Sequence, residues 1–194
     1  KQKYNVAVVG VTGAVGQEML RVLEARRFPV NQLLPLASKR SAGKRLQFKG
    51  KTVTVRKLTK DSFVGVDIAL FSAGSSISKK FACSATKAGA VVIDNSSTYR
   101  MDKNVPLVVP EINPGDLDGH QGIVATPNCT TVPHVMALHP LVTVIPVKRV
   151  VVDTYQAVSG AGGAAIAELT EQATRVLGSQ PIQPRVFAHQ IAVN

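Results

Sequence analysis

The fold is decided by residues 4–16, which read Tyr4-Asn5-Val6-Ala7-Val8-Val9-Gly10-Val11-Thr12-Gly13-Ala14-Val15-Gly16. The apolar, β-branched run that ends at Val9 predicts a buried strand, and the glycines after it predict a tight turn. Helical spacing of apolar residues then begins at Ala14 and continues to Arg26. The segment therefore predicts a strand, a glycine turn and a helix in direct succession.

Strands and helices continue to alternate through the first two thirds of the chain. A helix is predicted at residues 78–88, and strands are predicted at residues 33–37, 52–55, 66–71, 90–94, 107–109 and 123–125. Alternation of this kind is typical of a parallel sheet whose strands are joined by right-handed helical crossovers. We expect a Rossmann-type parallel sheet with helices on both faces.

The pattern changes after Thr130. We predict a helix at residues 131–142, a strand at 148–158 and a helix at 164–177. The predicted strand is much longer than the earlier ones, which indicates a differently built, α+β unit. The expected organisation is one domain over residues 1–129 and the beginning of a second over residues 130–194.

The composition excludes several classes of protein. Of the 194 residues, 45% are hydrophobic and 18% are charged, which excludes a disordered chain. The net charge is +11, yet the positive residues are scattered and only 5% of residues are aromatic, so we expect no nucleic-acid partner. There is no run of about 18 apolar residues and no visible leader, so we expect a cytoplasmic protein without a membrane span, or a plastid protein in a plant.

The glycine turn has a chemical interpretation. Because glycine lacks a Cβ, the backbone there can approach a pyrophosphate, whose charge is stabilised by the N–H groups that open the helix. The spacing of Gly10, Gly13 and Gly16 is G-x-x-G-x-x-G and not the common G-x-G-x-x-G, so a glycine turn without a ligand is the alternative. We predict a dinucleotide site.

The residues after the second strand indicate which dinucleotide is bound. They read Ser38-Lys39-Arg40-Ser41, where an NAD site usually has a carboxylate that holds the ribose hydroxyls. A guanidinium and hydroxyl groups suit a 2′-phosphate instead. The sequence therefore predicts NADP(H), with an ordinary basic loop as the alternative.

The chain has two cysteines, Cys83 and Cys129. Cys129 lies in Thr126-Pro127-Asn128-Cys129-Thr130-Thr131, between a predicted strand and a predicted helix, where a helix dipole stabilises a thiolate. We predict that Cys129 is a nucleophile. Cys83 lies within a predicted helix, and we expect a buried structural thiol there.

A polar loop at the end of another predicted strand leads to Arg100. A guanidinium at this place could bind an anionic acyl phosphate, and a surface arginine is the alternative.

Seven stretches match one enzyme family in order and spacing, namely residues 9–16, 38–43, 69–74, 94–100, 109–113, 126–131 and 155–162. On these stretches the chain resembles the aspartate-β-semialdehyde dehydrogenases. The resemblance implies an NADP-dependent, phosphorylating aldehyde dehydrogenase that converts L-aspartyl-4-phosphate to L-aspartate 4-semialdehyde and phosphate through a thioester on Cys129. It also implies a step of lysine, threonine, methionine and isoleucine biosynthesis, and a homodimer or tetramer. Residues 1–129 would be the NADP-binding domain, and residues 130–194 a truncated catalytic and dimerisation domain.

The resemblance also implies the residues of the site. It gives Cys129 and Gln156 as catalytic, gives Arg100, Asn128 and Gln156 as ligands of substrate or phosphate, and implies no metal. The implied cofactor contacts are Gly10, Thr12, Gly13, Ala14, Val15, Gly16, Ser38, Arg40, Ser41, Ser72, Ala73, Gly74, Ser159 and Gly160.

The chain departs from the family pattern in one respect. The family's acid/base histidine and carboxylate-binding arginine lie beyond the glutamine, and none of the four histidines of this chain occupies that context. We therefore expect the 194-residue chain to be inactive alone. Two alternatives stay open: another Cys-thioester acyl-phosphate reductase, of the N-acetylglutamyl-phosphate or glyceraldehyde-3-phosphate type, and a non-catalytic module that binds nucleotide or nucleic acid.

Overall fold

The computed structural model describes residues 2–193. It divides into two compact units, one up to Val151 and one from Val152 onwards. The strands are β1 (Tyr4–Val9), β2 (Val30–Ala37), β3 (Arg45–Phe48), β4 (Lys51–Thr54), β5 (Arg56–Lys57), β6 (Ile68–Phe71), β7 (Val91–Asp94) and β8 (Ile123–Ala125). The helices are α1 (Ala14–Ala25), α2 (Ser75–Lys87), α3 (Thr131–Val142) and α4 (Gly163–Leu177). The domain boundary predicted after residue 129 stays a prediction.

A six-stranded sheet in the order β5-β2-β1-β6-β7-β8 forms the centre of the first unit, and every pairing in it is parallel. Val9 of β1 lies opposite Leu36 of β2 on one side and opposite Phe71 of β6 on the other. The strand order therefore reverses direction at β1, and doubly wound sheets bind ligands at such a reversal. The prediction of a Rossmann-type parallel sheet is confirmed.

Both faces of this sheet are covered, because successive side chains of a strand point to opposite faces. On one face Ala7 of β1 belongs to a buried cluster with Phe81 of α2. On the other face Val8 belongs to a second cluster with Leu20 of α1 and Phe48 of β3. The predicted helices on both faces are therefore present.

An antiparallel hairpin of β3 and β4 follows the second strand of the sheet. Its turn residues Lys49 and Gly50 have φ values of 48° and 72°, the left-handed pair that a two-residue hairpin requires. The strand predicted at residues 52–55 corresponds to β4, whereas β3 was not predicted. Its exposed residues Arg45 and Gln47 give the segment a polar appearance, although Phe48 is buried.

Two strand predictions differ from the structure: one segment forms only an isolated bridge, and the other forms no strand. Residues 107–109 contribute a single bridge, between Leu107 and Ala125, to the edge of the sheet. The long strand predicted at residues 148–158 is absent, since residues 146–157 have no regular structure. A strand needs a neighbour for its hydrogen bonds, and no strand within residues 2–193 pairs with this segment.

The second unit is built on α4, close to the predicted helix at residues 164–177. Two polar residues of this helix, Glu168 and Gln172, are buried and bonded to each other, with 2.9 Å between Gln172 Nε2 and Glu168 Oε1. Their remaining acceptor capacity binds backbone N–H groups of the following segment, such as Arg185 on Glu168 (3.1 Å) and Ile191 on Gln172 (2.8 Å). The helix therefore fixes the segment after it through buried polar groups.

Burial alone would raise the pKa of Glu168. The backbone N–H groups of Arg185, Val186 and Phe187, together with the charge of Arg185, outweigh this effect and hold the pKa of Glu168 below its ordinary value.

Candidate functional site

The turn between β1 and α1 is shaped by glycine at two positions. Gly10 has φ +86°, and a Cβ on it would lie 2.8 Å from the carbonyl oxygen of Ser72. A Cβ on Gly16 would lie 2.7 Å from Val11 Cα, so the first turn of α1 packs directly on the strand exit. Both contacts are to backbone atoms, which cannot rotate away.

The start of α1 supplies the donors of an anion site. Gly13 precedes the helix and has no side chain that could cap it, while Gly13 N–H itself donates to Gly10 O (2.9 Å). Thr12 is half-buried, and Ala14 and Val15 at the helix start are exposed. A cradle that a Cβ would fill, with uncapped helix N–H groups beside it, fits the pyrophosphate of a dinucleotide.

The exit of β2 lies beside this turn, because Gly10 N–H donates to Leu36 O (2.9 Å). A short 3₁₀ turn, Lys39–Ser41, follows the strand. Ser41 is buried, whereas Ser38 and Arg40 are exposed, and no ion pair of Arg40 forms within residues 2–193. The guanidinium is thus placed to meet an anion from solvent at the same edge of the sheet.

The exit of β6 completes this side of the site. Ser72 donates to Val9 O from its backbone N–H (2.9 Å) and from its hydroxyl (3.2 Å), which ties the β6 loop to the strand before the glycine turn. Ala73 follows, and Gly74, with φ +88°, opens α2. The structure therefore brings the predicted residues 10–16, 38–41 and 72–74 to one edge of the sheet.

Cys129 lies on the same edge, after β8 and two residues before the start of α3. Its side chain is exposed, and its Sγ donates to Asn128 Oδ1 at 3.7 Å. Asn128 also holds the start of α3, because its side-chain oxygen accepts from the Thr130 N–H (3.0 Å) and its carbonyl accepts from the Thr131 N–H (2.9 Å). The predicted nucleophile is thus accessible on a locally braced loop.

Arg100 bridges the exits of β7 and β8. Its Nε donates to Thr126 O (2.9 Å) and its Nη2 donates to Asn95 O (3.1 Å). The two carbonyls follow residues that pair in the sheet, Asp94 and Ala125. These bonds use part of the guanidinium fork only, so the remaining donors can bind an anion near the loop that carries Cys129.

Tyr99, the residue before Arg100, has a raised pKa. Burial against the sheet raises the pKa of Tyr99, and electrostatic interactions with Cys83, Asp94 and Asp102 raise it further, so its phenol stays neutral over the physiological range. Cys83 itself is exposed, which makes the prediction of a buried structural thiol wrong. The position of α2 on the sheet turns that residue outward, next to buried Ala82.

The remaining predicted residues belong to the second unit. Gln156 is exposed and precedes the 3₁₀ turn Val158–Ala161. Ser159 and Gly160 lie within that turn, where Gly160 N–H donates to Ala157 O (3.2 Å) and Ser159 O accepts from the Gly162 N–H (3.0 Å). The roles assigned to these three residues stay predictions.

The described residues, 2–193, lack the features of a membrane span and of a metal centre. They contain no helix with the length and apolar character needed to cross a bilayer. They also contain no group of three or more His, Cys, Asp and Glu side chains that could hold a metal ion.

Sequence profiles of two domains match the chain in succession. The profile described as "Semialdehyde dehydrogenase, NAD binding domain" matches residues 5–120, and the profile described as "Semialdehyde dehydrogenase, dimerisation domain" matches residues 138–194. The chain belongs to the semialdehyde dehydrogenase family.

Individual members of the family confirm the resemblance to aspartate-semialdehyde dehydrogenases. The aspartate-semialdehyde dehydrogenase of Bacillus subtilis is 51% identical over 197 residues, which cover 98% of this chain and 57% of that protein. The crystal structure of aspartate semialdehyde dehydrogenase II from Vibrio cholerae, complexed with ASA, aligns with a TM-score of 0.96 and 47% identity, covering 100% of this chain and 58% of that one. The Candida albicans enzyme, solved with NADP, aligns at 0.63 and 27%, covering 72% and 47%.

The chain therefore spans a little over half the length of the Bacillus subtilis and Vibrio cholerae enzymes. Its match to them begins with the NAD binding domain and continues into the dimerisation domain.

Two polar residues that lie among the predicted site residues, Asp94 and Thr126, were not predicted from the sequence. Asp94 is fully buried at the end of β7 and accepts hydrogen bonds from Ser78 and Ser96. Thr126 donates from its hydroxyl to Asn95 Oδ1 (2.7 Å). The only sequence signal was the run of polar residues after an apolar strand, which marks a loop but does not show which side chains turn inward.

Proposed function

We propose that this chain is part of an NADP-dependent aspartate-semialdehyde dehydrogenase, which reductively dephosphorylates L-aspartyl-4-phosphate to L-aspartate 4-semialdehyde. One observation carries the proposal: exposed Cys129, the Arg100 guanidinium and the glycine turn lie at one edge of a single sheet. A nucleophile, an anion-binding group and a dinucleotide cradle are what a phosphorylating aldehyde dehydrogenase requires.

The chemistry begins at Cys129. Its Sγ attacks the acyl carbon of the acyl phosphate, an S–C bond forms, the C–O bond to phosphate breaks, and inorganic phosphate leaves with the electron pair. NADPH, held by the glycine turn and residues 38–41, would supply the hydride for reduction of the acyl group. Hydride addition would give a tetrahedral alkoxide on Cys129, whose collapse breaks the S–C bond, returns the electron pair to sulfur as the thiolate and releases the aldehyde.

Other residues of the chain bind and orient the reactants. Arg100 binds the phosphate through the guanidinium N–H groups that are not bonded to the carbonyls of Asn95 and Thr126. This interaction stabilises the negative charge of the leaving group. Asn128 orients the thiol, and Gln156 positions the substrate. Ser159 and Gly160 contact the nicotinamide end of the cofactor.

We propose NADP(H) as the cofactor because no carboxylate follows β2 and Arg40 is exposed there beside Ser38 and Ser41. Arg40→Glu is expected to lower NADPH affinity roughly 10- to 150-fold, since a charge-assisted hydrogen bond contributes about 1.5–3 kcal/mol. NADH affinity should change much less. Equal losses for both cofactors in fluorescence titration would contradict the assignment.

The wider role follows from the reaction. The product feeds the biosynthesis of lysine, threonine, methionine and isoleucine, and we propose a cytoplasmic homodimer. We further propose that the 194-residue chain has little turnover alone, because the acid/base histidine expected from the resemblance is not among its residues.

The test is a phosphate-dependent assay of the full-length protein. NADP+ should be reduced only when aspartate semialdehyde and phosphate are both present, and Cys129→Ser should lower the rate by several orders of magnitude. Cys83→Ser is the matched control and should keep wild-type activity, because Cys83 lies on the outer face of α2. A preference for glyceraldehyde 3-phosphate or N-acetylglutamate semialdehyde would instead support the alternative reductases.

A further inference from the structure

Asp94 is unusual among the residues at the candidate site. It ends β7, its side chain has no exposed surface, and it is the only buried ionisable side chain among the described residues up to Val151. Burying a carboxyl group is costly unless hydrogen bonds replace its hydration. Ser78 Oγ donates to Oδ1 (2.6 Å), Ser96 Oγ donates to Oδ2 (2.7 Å), and Ser96 N–H donates to Oδ1 (3.2 Å).

These bonds reach outward from Asp94 into the loop that follows it. Ser96 Oγ, which donates to Asp94, also accepts from the Thr98 N–H (3.2 Å). Thr98 Oγ1 donates in turn to Ser75 O (3.0 Å), in the first turn of α2. The loop of residues 95–98 is therefore held between a buried carboxyl group and a helix, and hydrogen bonds that form a connected chain strengthen one another.

Both carbonyls that accept hydrogen bonds from Arg100 lie beside Asp94. Asn95 follows Asp94 directly in the chain, and its carbonyl accepts from Arg100 Nη2 (3.1 Å). Thr126 donates its backbone N–H to Asp94 O (3.0 Å), and its own carbonyl accepts from Arg100 Nε (2.9 Å). Thr126 also begins the short stretch that leads to Cys129.

We propose that Asp94 is a positioning residue for the phosphate subsite, acting through Ser96 and the 95–98 loop on Arg100. Asp94 determines the position of the Arg100 guanidinium relative to the loop that carries Cys129. It does not contact the substrate itself. This inference rests on the proposed function, because it assigns Arg100 to the phosphate of that reaction.

The experiment compares Asp94→Asn and Ser96→Ala with wild type in the full-length protein, using inorganic phosphate as the variable substrate. The phosphate KM should rise about tenfold or more, since the loss of one charge-assisted hydrogen bond to an anion lowers affinity by roughly tenfold or more. The KM for NADP+ should stay within about twofold, because residues 72–74 are held to Val9 through Ser72, and residues 10–16 and 38–41 lie at the exits of other strands than β7. A purely structural role would lower stability without this selective rise.

Two further variants sharpen the comparison. Ser97→Ala is the matched control for Ser96→Ala, because the Ser97 hydroxyl bonds to Ser75 Oγ (3.0 Å) and not to Asp94. It should keep the wild-type phosphate KM. In an Arg100→Ala background, Asp94→Asn and Ser96→Ala should each change the phosphate KM by less than about twofold. The reason is that the effects of substitutions that act through one shared group are not additive.

The outcomes separate the two proposals. If wild type shows no phosphate-dependent reduction of NADP+, the proposed function and this inference both fail. If wild type is active and Ser96→Ala leaves the phosphate KM unchanged, the function stands and the positioning role of Asp94 is wrong. Ser96→Ala tests the positioning role even if Asp94→Asn does not fold. Residue 96 lies in a loop, and the alanine variant keeps the backbone N–H that donates to Asp94.

Discussion

Replacement of Gly16 by alanine tests whether the glycine turn is built for close packing. The added Cβ would lie 2.7 Å from Val11 Cα and 2.9 Å from Gly10 C, about 0.7 and 0.5 Å inside ordinary contact, which begins at 3.4 Å. Neither atom can rotate away, so α1 must shift from the end of β1. Overpacking of this kind costs about 1–3 kcal/mol, which corresponds to a fall in Tm of about 2–12 °C for a chain of this size.

The same shift moves the N–H groups that open α1, so we expect NADPH affinity to fall at least about tenfold. Thermal unfolding and fluorescence titration measure the two effects. Gly115→Ala is the matched control for stability, since a Cβ there meets nothing within 4 Å and its φ is not positive. If Gly16→Ala were as stable as Gly115→Ala and bound NADPH as tightly as wild type, the packing argument would be refuted.

Two predictions concern stability away from the site. Phe63 is fully buried and stacked on Phe71 with ring centroids 5.8 Å apart, so Phe63→Ala should cost about 3–5 kcal/mol in urea unfolding; a loss under about 1 kcal/mol would contradict this. Glu168 has a pKa below its ordinary value of 4.5, so its contribution to stability is present above about pH 4.5 and is lost as pH falls through the lowered pKa. Unfolding followed from about pH 7 to about pH 3 should therefore show a smaller acid loss in Glu168→Gln than in wild type, and parallel curves would argue against it.

The sequence was informative wherever structure depends on nearby residues. The strand, glycine turn and helix of residues 4–25 were predictable because spacing and glycine placement are local properties. The helix predicted at residues 131–142 has the observed bounds of α3. Cys129 and Arg100 were predictable as loop residues after strands, since strand ends are marked by the change from apolar to polar residues.

The failures concern structure that depends on distant partners. Residues 148–158 have the apolar composition of a strand, but an extended segment becomes a strand only beside another one. The hairpin strand β3 was missed although Lys49-Gly50 carries a turn signal, because its outward residues are polar. The bond between Asp94 and Ser78 depends on how α2 packs on the sheet, which residue spacing does not reveal.

The central position of β1 has a consequence for biosynthesis of the chain. β1 leaves the ribosome before the strands that flank it, and Val6 pairs with Ile68 of β6, which is synthesised 62 residues later. At about 5–20 residues per second, the partner strand arrives roughly 3–12 s after β1. During that interval the apolar residues 6–9 have only β2 to pair with and remain open on the other edge. The strand with the most deeply buried residues of the finished sheet is therefore the one whose second edge stays unpaired longest, which leaves its apolar residues open to aggregation during synthesis.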